Sequence, residues 1–236
     1  MPDAGAPCML PTQAMSHRFN DAAIAAVYHA IESRRDIREF VPGPLPDGLL
    51  QRLYAAAHAA PSVGWMQPWR LIHVSNPGIK LALTEIVEQE RQRTAAALPS
   101  RGRDFLRLKV EGLKCCAEIV VVALMDGCES HIFGKRTLPE MAVASAACAI
   151  QNMWLAARAE GIGLGWVSLF DPAALARLFA MPEGAKPIAI LCIGAVAAFP
   201  TRPVLEALGW GARLQLDQVV FEDTWPTDAK PTPTAY

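Results

Sequence analysis

The sequence lacks any apolar run near the roughly 20 residues that a bilayer-spanning helix needs. Its longest apolar stretches, such as Ile119 to Met125, are much shorter. Residues 1–20 carry Asp3 early and have no long apolar core, so we expect no signal peptide. These two absences predict a chain that does not insert into a membrane and that works in the cytoplasm.

An excess of either charge sign is also missing. The chain has 22 basic against 23 acidic residues, a net charge of −1 over 236 residues, so we expect no nucleic-acid partner. Six cysteines are present, but none forms a Cys-x-x-Cys pair, and no cluster of cysteine and histidine has zinc-ligand spacing. The sequence therefore predicts reduced thiols and no metal site.

Two segments resemble nucleotide-binding motifs but lack a required feature of each. Gly161, Gly163 and Gly165 follow a predicted helix and enter a predicted strand, the reverse of the order in a dinucleotide fingerprint. The sequence Gly134-Lys135 resembles the end of a phosphate-binding P-loop, but Glu129 stands where its first glycine is required. Neither motif predicts a nucleotide site.

With 52% hydrophobic and 19% charged residues, the chain can bury a sizeable core. Its periodicity alternates between helix and strand, which predicts one α+β domain at residues 20–198. Residues 1–19 and 199–236 lack a period and are expected to form extended arms, the second packing on a partner subunit. Predicted helices occupy 21–34, 46–57, 78–97, 100–114, 140–160 and 171–180, and predicted strands occupy 69–75, 117–125, 163–169 and 187–196.

A basic cluster stands where the first predicted helix ends. Arg34, Arg35 and Arg38 place three guanidiniums within five residues. Arginine binds phosphate in a bidentate manner and stays charged, so the cluster suits a small phosphorylated ligand. The alternative interpretation is that these cations only complement the negative end of the helix.

A second candidate segment is the loop from Ala60 to Trp69. Pro61 and Pro68 stiffen it, while Ser62 and Gln67 offer hydrogen bonds beside the apolar Met66. That combination suits a flat heteroaromatic ring with polar edges. An ordinary loop with a capping hydroxyl is the alternative.

Taken together, these segments resemble the FMN-dependent nitroreductase superfamily, and within it the branch that makes 5,6-dimethylbenzimidazole. The resemblance is carried by Arg34-Arg35-Asp36-Ile37-Arg38, by Ala60-Pro61-Ser62-Val63-Gly64-Trp65-Met66-Gln67-Pro68-Trp69, by Gln151 to Gly161, and by Gly165-Trp166-Val167-Ser168-Leu169-Phe170. It extends over residues 20–226. The aspartate inside the arginine cluster and the serine after Gly-Trp-Val are its most specific parts.

The resemblance implies a fold, an assembly and a reaction. The fold would be a nitroreductase-type central mixed β-sheet flanked by helices, in a homodimer with FMN at the subunit interface. The protein would bind reduced FMN and consume it as substrate with O2 as co-substrate. The products would be 5,6-dimethylbenzimidazole, the lower ligand of vitamin B12, and erythrose 4-phosphate. A separate NAD(P)H-dependent flavin reductase would supply the reduced flavin.

The same resemblance assigns roles to residues. Those expected to bind FMN are Arg34, Arg35, Arg38, Pro61, Ser62, Met66, Gln67, Gly165, Trp166 and Arg213. Asp36 and Ser168 match the two positions linked to fragmentation. Asp36 would act as a base or would position a water, and the arginines around it should lower its pKa unless burial opposes them. The simpler alternatives are a structural ion pair from Asp36 to Arg35 or Arg38, and a plain strand-end hydroxyl at Ser168.

Two other functions fit the same fold. A conventional NAD(P)H-dependent reductase of nitro compounds, quinones or flavins needs an open site, because a nicotinamide must stack on the flavin. A synthase needs a closed site that excludes water, and residues 88–114 are the candidate lid. A flavin-binding protein without catalysis would bind FMN tightly and tolerate Asp36→Asn.

Overall fold

The computed structural model describes residues 17–109, 112–125 and 136–226. Its helices are α1 (Asp21–Ser33), α2 (Leu49–His58), α3 (Pro77–Ala97), α4 (Gly102–Arg107), α5 (Met141–Ala159), α6 (Pro172–Leu178) and α7 (Val204–Ala207). Its strands are β1 (Trp69–His73), β2 (Glu118–Met125), β3 (Gly163–Val167) and β4 (Ala185–Gly194). Short 3-10 helices lie at Val63–Trp65 and Leu216–Gln218.

The four strands form one sheet in the order β1-β2-β4-β3, and each neighbouring pair is antiparallel. Strand β2 lies inside the sheet, and its apolar run is buried on both faces. Successive side chains of a strand point to opposite faces. Accordingly, Val120 and Val122 enter one core cluster, while Ile119 and Val121 enter the other.

Helices cover both faces of the sheet. On one face, α2 and α5 contribute Leu53 and Met153, both fully buried. On the other, α3 and α6 contribute Leu83 and Leu175, also fully buried. The predicted α+β class is therefore confirmed. The only parallel pairing among the described residues is the isolated bridge between Asp36 and Leu164, so the named strands form an antiparallel rather than a mixed sheet.

Local end signals explain the helix boundaries that the sequence predicts well. The Asn20 side chain accepts a hydrogen bond from the backbone N–H of Ala23 at 2.8 Å, capping α1. Helix α5 ends in a Schellman motif, in which Gly161 has φ +73° and the Ile162 N–H donates to the Ala157 carbonyl at 2.8 Å.

Two predicted helices need correction. The second helix begins at Leu49 rather than Pro46, because Gly48 adopts a left-handed conformation with φ +70° immediately before it. The predicted helix 100–114 is limited to α4. Beyond it, Gly112 has φ +70° and packs against Phe40, while residues 110–111 lie outside the described residues.

The C-terminal arm is not wholly extended, since it contains α7 and a 3-10 helix. The predicted arm 1–19 is described only from residue 17, and the C-terminal arm only to residue 226. The domain limits at 20 and 198 therefore stay a prediction. None of the helices within the described ranges is long and apolar enough to cross a membrane.

The segment after α1 runs beside β3 and positions the candidate site. The Ile37 N–H donates to the Leu164 carbonyl at 3.1 Å, which holds residues 36–38 against the strand. This approach requires glycine at position 165, because a Cβ there would collide with the Ile37 carbonyl oxygen and come within 3.1 Å of Arg38 Nη1. Gly165 thus permits the contact between the arginine cluster and the sheet.

We predict that Gly165→Ala separates residues 36–38 from β3. The added methyl meets backbone, which cannot rotate away, so overpacking should lower the free energy of unfolding by about 1–3 kcal/mol. Urea denaturation measures this. Gly211→Ala is the control, because a Cβ at Gly211 meets nothing within 4 Å and should change stability by less than about 0.5 kcal/mol. Equal stability of the two variants would contradict the predicted collision.

Candidate functional site

The backbone turn at the end of α1 determines the direction of the Arg34 side chain. Arg34 is the C-cap residue, and its backbone turns there from helical to extended, with ψ 135°. Its guanidinium carbon lies 4.5 Å from the centre of the Trp154 ring of α5. The stacking fixes the direction of Arg34 as the chain leaves the helix.

Four arginines line one cleft of about 400 Å³ between the end of α1 and the C-terminal arm. The lining residues are Ile31, Glu32, Arg34, Arg35, Thr201, Arg202, Pro203 and Arg213. Burial lowers the pKa of the Arg34 guanidinium; the charge of Asp36 opposes this shift, and those of Arg35 and Arg213 add to it. A cleft with four guanidiniums and one carboxylate favours an anionic ligand.

Arg35 joins the arm to α1. Its Nη2 donates to the Thr201 carbonyl at 2.7 Å, and its Nη1 donates to the carbonyls of Glu32 and Arg34. Its Nε is buried and has no hydrogen-bond partner among the described residues. A buried donor without a partner is costly, so this nitrogen is available to an oxygen of a ligand.

Asp36 and Arg38 form a compact network on the edge of β3. Asp36 Oδ1 accepts a hydrogen bond from the Trp166 N–H at 3.0 Å, and Asp36 Oδ2 accepts one from Arg38 Nη2 at 2.6 Å. The same Nη2 donates to the Trp166 carbonyl at 2.6 Å. Arg38 Nη1 is buried and lacks a partner within the described chain. The predicted ion pair to Arg38 is therefore present, and both carboxylate oxygens have fixed positions.

The surroundings raise the pKa of the Asp36 carboxyl above its usual value. Desolvation by the packed protein is the largest cause, although 45% of the side chain remains exposed. The charge of Arg38, the hydrogen bond from the Trp166 N–H and the charge of Arg34 lower the pKa without cancelling that effect. Of the two opposed effects that the sequence predicts, desolvation therefore outweighs the charges of the arginines.

The loop from Pro61 to Gln67 is held by two serine hydroxyls. Ser62 Oγ accepts from the Gln67 N–H at 3.0 Å, and Ser145 Oγ of α5 accepts from the Val63 N–H at 3.1 Å. Three residues of the loop have positive φ: Gly64 at 55°, Trp65 at 59° and Gln67 at 47°. Such a backbone persists where surrounding contacts hold it, as is common at ligand sites. Met66 and Gln67 are half-buried, and Pro61 is exposed.

The structure brings the predicted residues together in three groups. Arg34, Arg35 and Arg213 share the cleft. Asp36, Arg38, Gly165 and Trp166 share the edge of β3, where Ser168 follows the strand as an exposed residue. Pro61, Ser62, Met66 and Gln67 share the loop. Arg38 does not line the arginine cleft; it is directed to Asp36 and Trp166.

Sequence reasoning missed several residues of the site. Arg202 and Thr201 lie in a segment without periodicity, and Ser145 lies in an alanine-rich helix where a serine carries no signal. Trp154 was assigned no role in the site, yet its Nε1 donates to the Arg35 carbonyl at 3.1 Å. Within the described residues, no group of three or more His, Cys, Asp or Glu side chains is placed to hold a metal ion.

Comparison with known proteins gives one family and close relatives. The model of the nitroreductase family matches residues 31–195. A 5,6-dimethylbenzimidazole synthase of Rhodobacter capsulatus is 34% identical over 191 residues, which cover 80% of this chain and 92% of that protein. The protein of the same name from Rhodospirillum rubrum is 36% identical over 183 residues, covering 76% and 86%.

Solved structures share the fold at lower identity. An oxidized iodotyrosine deiodinase bound to FMN and 3-iodo-L-tyrosine superposes with a TM-score of 0.67 at 20% identity, covering 84% of this chain and 100% of that one. Nitroreductase A of Vibrio parahaemolyticus has a TM-score of 0.65 at 17% identity, covering 85% and 77%. At this identity the likeness establishes the nitroreductase-type fold.

We predict that the pKa values of Asp36 and Asp171 are shifted in opposite directions from that of a free aspartate. Hydrogen bonds from the N–H groups of Ala174 and Ala173 lower the pKa of Asp171, whereas desolvation raises that of Asp36. The contribution of Asp171 to stability is complete above pH 3.8 and is lost as the pH falls through its lowered pKa. The contribution of Asp36 is present below pH 3.8 and is lost as the pH rises through its raised pKa.

Carboxyl-carbon NMR titration of the wild-type protein, with Asp36→Asn and Asp171→Asn used for assignment, measures both values. A pKa of Asp36 at or below 3.8 would contradict the dominance of desolvation.

Proposed function

The chain belongs to the nitroreductase family, as its motifs predicted, and on that premise we propose that it is a 5,6-dimethylbenzimidazole synthase acting on reduced FMN. The observation that carries the proposal is the double role of residues 34–38. This one segment presents arginines to an anion-binding cleft and, two residues on, a carboxylate with a raised pKa. Binding of the flavin phosphate and removal of a proton are thereby assigned to one rigid piece of chain.

The residues present fit FMN. Arg34, Arg35 and Arg213 would hold its phosphate in the cleft, since guanidiniums bind phosphate oxygens in pairs. The unpartnered donors on Arg35 and Arg38 would bind oxygens of the phosphate and of the flavin ring edge. The loop residues Pro61, Ser62, Met66 and Gln67, with Gly165 and Trp166, would line the ring.

Reduced FMN supplies the electrons for O2 and the carbon skeleton, giving 5,6-dimethylbenzimidazole from its benzenoid ring and ribityl C1′, and erythrose 4-phosphate from the remaining ribityl carbons. Asp36 would accept the proton that has to leave C1′. A carboxyl with a raised pKa is a stronger base when ionised, which suits this role near neutral pH. Arg38 orients Asp36 through Oδ2, and Ser168 would position a hydroxyl or relay a proton at the end of β3.

Reduction of the flavin would take place elsewhere. A separate NAD(P)H-dependent flavin reductase would supply the reduced FMN. A closed site then has to exclude water during the reaction with O2. The candidate lid, residues 88–114, contains the C-terminal part of α3 and the whole of α4.

We predict that Asp36→Asn separates binding from chemistry. Asparagine keeps an oxygen that accepts from the Trp166 N–H but cannot take a proton. The variant should bind FMN within about threefold of wild type and lose about 10²–10⁴-fold in product formation, the usual contribution of a general base. Flavin fluorescence quenching measures binding, and mass spectrometry measures dimethylbenzimidazole after aerobic incubation with reduced FMN.

Asp171→Asn is the matched control, because asparagine caps a helix as well as aspartate does, and its yield should stay at the wild-type level. Unchanged yield from Asp36→Asn would remove Asp36 from the reaction. Reoxidised FMN as the sole product of the wild-type protein would contradict the synthase and favour an NAD(P)H-dependent reductase.

We further propose a homodimer with FMN at its interface. Helix α1 exposes apolar side chains in the single chain, where Val27 is 49% and Tyr28 61% exposed. The C-terminal arm exposes Leu216 and Trp225 by 75% and 78%. Apolar surface on this scale favours a partner, and a second copy would cover both regions.

Sedimentation of the wild-type protein should give twice the chain mass of 25.5 kDa. A carboxylate in the interface has to be desolvated, so Tyr28→Asp should shift the protein to monomer and weaken FMN binding. Leu81→Asp is the control, since Leu81 is also a helix residue and is 64% exposed. A wild-type monomer that binds FMN would contradict the proposed assembly.

A further inference from the structure

The C-terminal arm is fixed at one tryptophan shortly before it reaches the arginine cleft. We propose that Trp210 is a positioning residue that holds Arg213 at the phosphate-binding cleft, and that Arg101 clamps Trp210 in place. The inference rests on the proposed function, because it takes the cleft as the site of the flavin phosphate. It adds a link between the candidate lid and that phosphate.

Burial identifies Trp210 as the anchor. It is 8% exposed, whereas every residue from 211 to 220 is exposed. A tryptophan side chain buries more area than most residues and can fix a segment that has little other packing. Arg213 lies in the exposed stretch, outside any helix or strand. Its position therefore depends on the residue from which that stretch departs.

The backbone before Trp210 also has a fixed direction. Helix α7 ends in a Schellman motif: the Trp210 N–H donates to the Leu205 carbonyl at 2.8 Å, and the Gly209 N–H donates to the Glu206 carbonyl at 3.1 Å. Gly209 has φ +69°, the left-handed conformation that this motif requires. The chain thus leaves α7 in one direction, with the indole ring at the exit.

Two side chains from the α4 region hold the ring. The guanidinium carbon of Arg101, the N-cap residue of α4, lies 3.6 Å from the Trp210 ring centre. Phe105 of α4 meets the same ring edge-on, with centroids 6.5 Å apart. Cation–π and edge-to-face contacts each favour one orientation of the ring. Trp210 is thereby held against α4.

Helix α4 is itself seated on α3. A Cβ at Gly102 would collide with the Ala95 carbonyl, so the start of α4 approaches the end of α3 as closely as glycine allows. Arg91 Nη1 of α3 donates to the Leu106 carbonyl at 2.8 Å. These contacts give α4 a defined place within the candidate lid, and through Arg101 they give Trp210 one as well.

Arg213 follows Trp210 by three residues, a span of at most about 11 Å. That short tether keeps Arg213 near its anchor and brings it to the cleft that Arg34 and Arg35 line. Coupling between two sites is reciprocal. A phosphate that binds Arg213 therefore favours the seated position of α4, and release of α4 loosens the hold on the phosphate.

The test compares FMN with riboflavin, which has the same ring and ribityl chain but no phosphate. Arg213→Ala sets the reference: loss of one charge-assisted contact should weaken FMN binding by about 10–100-fold and leave riboflavin unchanged. Trp210→Leu should give a loss of the same size and the same selectivity for FMN. In the double variant, Trp210→Leu should add nothing to Arg213→Ala.

Arg101→Ala should weaken FMN binding in the same phosphate-specific way, by about three- to tenfold for one partly desolvated cation–π contact. Arg103→Ala is its matched control, because Arg103 is an exposed arginine of α4 that does not line the arginine cleft. If Trp210→Leu fails to fold, the comparison of these two arginine variants decides alone.

Each other outcome overturns the inference in a recognisable way. If Trp210→Leu lowers FMN and riboflavin binding equally, the tryptophan has a general structural role. If Arg213→Ala weakens FMN binding alone while Trp210→Leu and Arg101→Ala change neither FMN nor riboflavin binding, Trp210 does not position Arg213. The proposed function is unaffected by that result. If Arg213→Ala leaves FMN binding unchanged, the phosphate assignment of the cleft fails, whereas product formation tests the synthase separately.

Discussion

The contact on which the site depends is the hydrogen-bonded edge between residues 36–38 and β3. Asp36 accepts a hydrogen bond from the Trp166 N–H, and Arg38 donates one to the Trp166 carbonyl. Gly165 leaves the space that both contacts need. This edge places the arginines at the end of α1 on one side and the carboxylate on the other. A change in these hydrogen bonds would therefore displace the arginines that bind the ligand and the Asp36 carboxylate together.

The same edge explains how one carboxylate can serve structure and chemistry. Asp36 is paired with Arg38 at 2.6 Å, yet desolvation raises its pKa. A fully solvated aspartate would be a weak base, and a deeply buried one would be neutral. The proposed function depends on this intermediate environment. The charge of Arg38 stabilises the ionised Asp36 carboxylate, and desolvation by the surrounding protein makes that carboxylate a stronger base.

The sequence predicts the parts of this fold that local physics determines. The burial of β2 on both faces follows from its continuous apolar run, and the Asn20 cap and the Gly161 end of α5 follow from backbone preference. The arginines and Asp36 are recognisable because they are adjacent in the chain. The sequence does not predict the left-handed Gly48 before α2, the short α4, the role of Ser145, or the contact of Arg101 with Trp210. Each of these depends on partners far away in sequence or on how strongly a group is desolvated.

The most direct measurement of the central claim follows one carbon of the flavin. FMN labelled with ¹³C at ribityl C1′ is reduced and incubated with the protein in air, and the small molecules are analysed by mass spectrometry. The account predicts that the label appears in 5,6-dimethylbenzimidazole and that erythrose 4-phosphate is formed without it. Label found only in intact, reoxidised FMN would contradict the assignment of fragmentation to this site.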